Sequence, residues 1–600
     1  MKEEELIHSR NGKLHFFGDD TYLLSLGDGK DRPLLEKSDL DILANSRSFA
    51  PISVHAKNIV TARPGTFDGV LAAEHRIQEL VDAGFYYSLG EIKAATLSSS
   101  ESSTEPSTES LVTLDTIGIV TCNRPACAER ALRSYAKMTQ KYGRQTSFVV
   151  ADDTHDPVAA AEQSSKLKVL SNQLGIGLRI LGREQRKDLV DHIKATDSSI
   201  PTEVLKFGLF GFEGVERSAG SNRNALLLDQ VGNAFLSVDD DTICELRRPS
   251  DFDDGAQFAS IDPTQFLFFD DREAAFEASA PFDIDLLSEH ERLLGRPLGS
   301  LFDYPHVHLL PMDERLLESL RSVQGRVAAV TTGLVGDSGM GRAMYFMLAV
   351  GPLRKMLAES EKDYQRARKT KAVFRAVART TVSTDYFMMP ATSLDNRFDL
   401  PPFLPILRNQ DGLFGTTLQI ASPHLFTGHL PIAIRHEPPQ PRMFDDDEVW
   451  QHLDRLRAAD YLIQLFSVHE FGVGSRSFEQ RMESIGRWHL DLGTLPSADF
   501  ALALMELRNK FLSAKARNLE ARLEREALHT SLKSDIENGL ENLYKRIFSD
   551  EELVPLDLRS PHRDYKESLQ LFAHIVQRYG QLLMHWFAIK LAAKTWTSPS

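Results

Sequence analysis

Phe235-Leu236-Ser237-Val238-Asp239-Asp240-Asp241 is a short apolar run that ends abruptly in three carboxylates. A parallel strand covered on both faces reads as a continuous apolar stretch, and open α/β sheets bind ligands beyond the strands' carboxyl ends. The segment therefore predicts a central strand that delivers acids to the rim of a sheet. Acids at such a rim suit a metal-phosphate site, because Mg2+ and Mn2+ take one or two carboxylates and complete their shell with phosphate oxygens and water. The same residues also suit a solvated turn, since Asp is a good turn former and N-cap. The surrounding segments decide between the two.

Upstream, Leu111 to Val120 and Thr146 to Val150 are Val- and Ile-rich runs separated by a helical stretch, Ala126 to Tyr142. The pattern is β-α-β, hence a parallel sheet with a right-handed crossover. Leu178 to Leu181, Phe266 to Phe269 and Val327 to Thr332 add strand candidates, and Asn222 to Gln230 is helical. Beyond about 440 the strand signals stop, and Trp450 to Phe466, Ala498 to Ile547 and Tyr565 to Ala593 carry apolar residues at three-and-four spacing. The chain thus divides into a small α+β domain over 1–95, a linker over 96–110, an α/β domain over 111–440 and a helical domain over 441–600. The linker is expected to be flexible, because Ser98 to Ser110 is nearly all Ser, Thr and Glu and has no apolar surface to bury. In the first domain, hairpin-like pieces (Lys13 to Phe17, Tyr22 to Leu26), helical stretches (Ser38 to Asn45, Ala72 to Ala83) and a final Gly84-Phe85-Tyr86-Tyr87 faintly resemble a winged-helix module that recognises peptides. A plain docking domain is the alternative.

A 600-residue chain with 42% apolar and 26% charged residues is ordinary globular material. Its net charge of −16 argues against a generic nucleic-acid binder, although a local basic patch is compatible with it. Cys122, Cys127 and Cys244 match neither a disulfide framework nor a zinc knuckle, so a reducing cytoplasm is expected. The acidic start Met1-Lys2-Glu3-Glu4-Glu5 is unlike a secretory signal, and no apolar run approaches the ~20 residues that span a bilayer.

Four landmarks follow one another along 111–440. Thr121-Cys122-Asn123-Arg124-Pro125 ends the first strand and opens a helix, offering polar groups and free N–H donors. Asp152-Asp153 ends the second strand. Gly220-Ser221-Asn222-Arg223-Asn224 starts an apolar helix, and Asp239-Asp240-Asp241 closes the strand after it. In this order they resemble family-2-like glycosyltransferases of the GT-A fold, whose sheet domain is Rossmann-like and mixed.

That resemblance implies a set of roles. Asp239 and Asp241 would hold Mn2+ or Mg2+ against the diphosphate of a nucleotide-sugar donor, commonly a UDP-sugar, with Asp240 beside them. Asn123, Arg124, Asp152, Asp153, Arg223 and Asn224 would contact the donor. Asp411, in Asn409-Gln410-Asp411-Gly412, resembles the general base of inverting members, although Gln410 stands where Glu is common. His436, in Arg435-His436-Glu437, resembles a third metal ligand. The activity implied is sugar transfer with inversion onto an acceptor that the sequence does not name. The alternatives are a nucleotidyltransferase acting on sugar phosphates and a degenerate transferase scaffold that binds a partner.

Other motifs receive other readings. Thr331 to Arg342 is glycine-rich and suits a mobile loop lining the site, or a plain connection. Lys371, Arg375 and Arg379 recur at four-residue spacing and suit one helical face. Phe269-Asp270-Asp271 lacks a third acid, and Asp445-Asp446-Asp447-Glu448 suits a helix cap. His306 and His308 alternate as strand neighbours with no other ligand pair nearby, so no zinc site is expected there. The long helices at Ala498 to Ile547 suggest a homo-oligomer.

Overall fold

The computed structural model describes residues 5–26, 30, 32–101, 112–212, 215, 219–340, 343–384, 387–444, 453–468, 476–549 and 553–596. The molecule is mixed α/β. Among the described residues its main sheet has 14 strands. Its principal path runs Gly177–Leu181, Ser147–Asp152, Thr116–Thr121, Ala234–Asp239, Ala391–Asp395, Arg326–Asp337, Leu425–His436, Thr380–Ser383, Ala256–Ala259 and Val307–Leu309.

The first four of these are mutually parallel. Ala391–Asp395 runs antiparallel to both its neighbours. From Thr116–Thr121 the chain moves outward through two strands on one side and then returns to place Ala234–Asp239 on the other. The strand order therefore reverses between Thr116–Thr121 and Ala234–Asp239, and such a switch point opens a crevice at the carboxyl ends.

Residue alternation explains why these strands are central. Ile117, Ile119, Phe148, Val150, Leu236 and Val238 face one core with Ala128, Leu132 and Tyr135 of the helix Pro125–Lys141. Val120, Val149, Ala151 and Phe235 face a second core with Ala225 to Leu228 of the helix Ala219–Asp229. Both faces are covered, so neither shows a polar stripe. Gly118 is required here, since a Cβ would fall 2.8 Å from Leu226 Cδ1 and push the helix off the strand.

The C-terminal helices share the second core rather than building one of their own. Phe572, Leu582 and Trp586 of Tyr565–Ala593 belong to it, and Trp586 Nε1 donates to Leu400 O at 2.8 Å. Phe500, Leu504, Leu512 and Leu519 of Ser497–Arg525 are buried in the same cluster, so the apolar face that suggested an oligomer is used within the chain. No helix among the described residues is long and apolar enough to cross a membrane.

The described residues between Ile7 and Tyr86 have a separate core, whereas Tyr87 and Ile92 pack into that of the main sheet. An antiparallel sheet of Lys13–Gly18, Thr21–Ser25 and Leu35–Glu36 packs with the helices Lys37–Asn45, Ile52–Ala62 and Val70–Asp82. The N-terminal region docks through Arg10, which pairs with Glu314 at 3.2 Å, and through the Tyr87 hydroxyl, which donates to Glu314 at 2.6 Å.

Three expectations change. The helix Leu89–Glu101 runs into the segment expected to be linker, the rest of which, 102–110, lies outside the described residues. The glycine-rich stretch is a strand as far as Asp337, with Gly333 and Gly336 where neighbouring backbone comes within 2.1 and 2.5 Å of a Cβ, and its Leu334, Ser338, Gly339 and Met340 do line a cavity. Lys371, Arg375 and Arg379 lie on and around the strand Ala372–Ala376; Arg375 is buried against Asp262 at 2.9 Å, and Arg379 bonds Asp253. Asp271 caps the helix Arg272–Glu277, whereas Asp445 to Glu448 lie outside the described residues.

Candidate active site

The strand Ala234–Asp239 delivers its acids to the switch point, where each meets a different partner. Asp239 accepts from Arg223 Nη2 at 2.7 Å. Asp240 is buried and accepts from Thr121 Oγ1 at 2.7 Å. Arg124 Nη1 lies 3.2 Å from Asp240 Oδ1 and 2.8 Å from Asp241 Oδ2. His436 Nε2 lies 3.2 Å from Asp241 Oδ1, while His436 Nδ1 bonds the Asp337 carbonyl.

Burial and these partners split the three acids. Burial pushes the Asp240 carboxyl up to about 7 against the pull of Arg124. Asp239 keeps 33% of its side-chain surface open, yet the walls around it desolvate it enough to raise it despite Arg223. Asp241 moves the other way: burial opposes its charge, but His436 and Arg124 hold it well below the usual carboxylate range. Burial likewise opposes a charged His436, and Asp241 overcomes this to lift it to about 9.

The other predicted residues divide sharply. Asn123, with a left-handed φ of 55°, and Arg124 line the same cavity as the acids, as do Arg223 and Asp411. Asn224 does not. Its amide donates to Gly208 O and Phe403 O, both at 3.0 Å, and its Oδ1 accepts from Phe403 N at 2.8 Å, which spends it on backbone. Asp152 accepts from Thr154 and Gln163, and Asp153 is buried between Arg183 at 2.6 Å and Arg186 at 3.5 Å. Neither lines the cavity, so Asp152, Asp153 and Asn224, all expected to contact the donor, lie outside its lining. Asp153 instead acts through Arg186, whose guanidinium bonds Asn222; Asn222 donates to Thr121 O at 2.9 Å and ties the helix start to the first strand.

The cavity is about 2080 Å³. Asp411 enters it from the first turn of the helix Gln410–Ala421. Leu407 and Asn409 just before that turn have φ of 70° and 64°. Of the six non-glycine residues with positive φ among those described, Asn123, Leu407 and Asn409 line this one cavity. Backbone strain of that kind gathers at functional sites.

Several lining cations went unread in the sequence. Arg183, Lys187, Lys206, Arg408, Arg457 and Lys515 all line the cavity, from five separate segments that only the fold assembles. With Arg124, Arg223, Arg375 and Arg442 they set ten cations against the five carboxylates Asp239, Asp240, Asp241, Asp411 and Asp460. In a chain with 69 Lys and Arg against 85 Asp and Glu, the lining is locally enriched in cations, three of which, Arg183, Arg375 and Arg442, are paired with Asp153, Asp262 and Asp337 behind it.

Of the three predicted metal ligands, Asp241 and His436 fit one ion. Their atoms have the spacing of two ligands, and the Nδ1 bond to a carbonyl fixes Nε2 as the coordinating nitrogen. Asp239 offers no oxygen within 4.8 Å of a ligand atom on each of them and is paired with Arg223. Arg124 stands where a cation would bind, and Asp240 Oδ1 is buried with no hydrogen bond in standard geometry, which suits a site that accepts positive charge. No protein-family model and no curated protein matches the chain.

Proposed function

We propose that the protein is a metal-dependent inverting glycosyltransferase with a GT-A-like domain, taking a nucleotide-sugar donor. The observation that carries this reading is the convergence of Asp239, Asp240, Asp241, Arg124, Arg223, His436 and Asp411 on one cation-rich cavity at the sheet's switch point. Ligand pockets for a single small molecule are typically about 300–1,000 Å³. A cavity of about 2080 Å³ has room for a donor and an acceptor together.

Asp241 and His436 would hold Mn2+ or Mg2+, which when bound neutralises charge on a leaving diphosphate. Arg124 would give up Asp241 to that ion and turn to a phosphate oxygen, a contact that suits a guanidinium. Arg223 holds Asp239 at the strand end and presents a fixed positive charge to the same crevice. Asp411 would take the proton of the acceptor hydroxyl as that oxygen bonds to the anomeric carbon. The bond to the diphosphate oxygen breaks on the opposite face, so the configuration inverts. A positioned base of this kind is worth typically about 10²–10⁴-fold in rate.

Thermal melting with uridine, guanosine, cytidine, adenosine and thymidine diphosphates, with and without Mn2+, tests the reading. A metal-dependent rise with at least one of them is expected, and no shift with any would overturn it.

A further inference from the structure

One edge of the sheet, outside the cavity lining, brings together three side chains that the sequence keeps apart. Val307–Leu309 is a three-residue edge strand that pairs with Ala256–Ala259. His308 lies on it and His306 just before it, and Asp253 sits in the turn that leads into its partner. His306 Nε2 is 2.5 Å from Asp253 Oδ1, and His308 Nε2 is 3.7 Å from Asp253 Oδ2. Among the described residues this is the only group of three potential ligand atoms that all lie within 4.8 Å of one another. The expectation that His306 and His308 have no further ligand nearby is thereby corrected; the missing carboxylate comes from a distant turn.

We propose that Asp253, His306 and His308 form a second metal site, for a borderline divalent ion of the Zn2+ class, distinct from the acidic cavity. Metal-to-ligand bonds of about 2.0–2.2 Å at tetrahedral angles put ligand atoms roughly 3.3 Å apart. The two carboxylate–imidazole separations bracket that spacing and all three ligand atoms lie within 4.8 Å of one another, so side-chain rotations close the triad on an ion. Two imidazoles and one carboxylate select Zn2+ over the hard ions suited to the cavity acids. The two imidazoles are about half exposed, at 49% and 45%, so an ion can enter and water can complete its shell.

The surroundings are built for this arrangement. A Cβ on Gly255 would fall 2.5 Å from His306 Cδ2 and 2.7 Å from His306 Nε2, so only glycine lets that ring lie against the turn. Gly255 N donates to Asp253 Oδ1 at 2.7 Å, and Arg379 Nε donates to Asp253 Oδ2 at 2.9 Å. Arg379 also bonds Gln257 at 3.2 Å. The carboxylate is thus held in place from behind, as ligands of metal sites commonly are. An ion here would clamp the short edge strand to the turn preceding its neighbour. Its stabilising effect would grow with metal concentration, because it binds only the folded chain.

Zinc alone, added to the full chain carrying Asp241→Asn to disable the cavity site, tests the proposal by competition with a chromophoric chelator. One ion is expected to bind, weakened at least tenfold by His306→Ala, His308→Ala or Asp253→Asn, with the melting temperature in chelator unchanged by His308→Ala, whereas Asp253→Asn also loses the ion pair with Arg379. Cu2+ as a spectroscopic probe is expected to show nitrogen coupling from two imidazoles, falling to one in either histidine variant. Zinc affinity unchanged in the histidine variants would overturn the site. Affinity unchanged in Asp253→Asn alone would reduce it to chelation by two histidines and overturn the three-ligand assignment.

Discussion

Asp241 and His436 face each other across 3.2 Å because the strand that follows the acids, Thr242–Arg248, turns back and pairs antiparallel with Leu425–His436, placing Thr242 opposite His436. Glu437 N donates to Asp241 O at 2.7 Å and locks the two segments at that point. Sheet register, rather than loop flexibility, therefore sets the spacing of the two proposed ligands.

If these two side chains hold one ion, Asp241→Asn and His436→Ala should each abolish Mn2+-dependent binding of nucleoside diphosphate. The double variant should be no worse than either single one, because both act on the same ion. Calorimetric titration checks this, and additive losses would mean that they serve separate partners.

Asp411→Asn should retain donor binding and lose about 10²–10⁴-fold in transfer rate, the range expected for a general base. Steady-state kinetics beside a binding measurement separates the two effects. Normal transfer would remove Asp411 from that role.

Arg124 Nη1 lies between Asp240 and Asp241, at 3.2 and 2.8 Å, and on the proposed function it occupies the place of the ion. Arg124→Met removes the cation shared by those carboxylates and leaves only His436 beside Asp241 and Thr121 on Asp240, so the melting temperature without metal should fall. The rise produced by Mn2+ should become larger than in the unaltered protein. A smaller metal response would mean that Arg124 supports the ion instead of occupying its place.

Asn224 is spent on backbone groups of Gly208 and Phe403, so Asn224→Ala should cost roughly 1–3 kcal/mol for each buried group left unpaired. Denaturant unfolding measures the loss. Nucleotide affinity of the folded fraction should be unchanged, and a specific loss of affinity would restore Asn224 to the donor site.

Burial lowers His8, His429 and His489 to about 4 and His290 to about 3. Each stays neutral in the folded chain while the unfolded chain takes up protons below the ordinary histidine value of about 6.5. Their contribution to stability is therefore intact above about pH 6.5 and is lost progressively as the pH falls toward about 4. Unfolding free energies measured between pH 7 and 4 should fall steadily. His290→Gln, which cannot titrate, should flatten part of that slope.

Apolar run length was enough to find the strands Thr116–Thr121, Ser147–Asp152 and Ala234–Asp239, although the first begins five residues later than expected, because strands buried on both faces leave an uninterrupted apolar signature. The acids at the end of the third were legible for the same reason, since carboxylates directly after such a run fall at the sheet's rim. The donor contacts that the family resemblance implies for Asp152, Asp153 and Asn224 find no support in the cavity lining, because each side chain has its partners inside the protein. Lys371, Arg375 and Arg379 misled in a similar way, as four-residue spacing says nothing about helix unless the intervening residues are helical.

By itself, then, the sequence determined the α/β class, the acidic strand end and the amphipathic C-terminal helices, all of which depend on local periodicity. Only the tertiary structure decided that Asp241 meets His436, that Asn224 is spent on backbone, that scattered cations gather in one cavity and that Asp253 joins His306 and His308. Those outcomes depend on strand order, register and the direction each side chain takes from its backbone, and no local pattern along the chain encodes them.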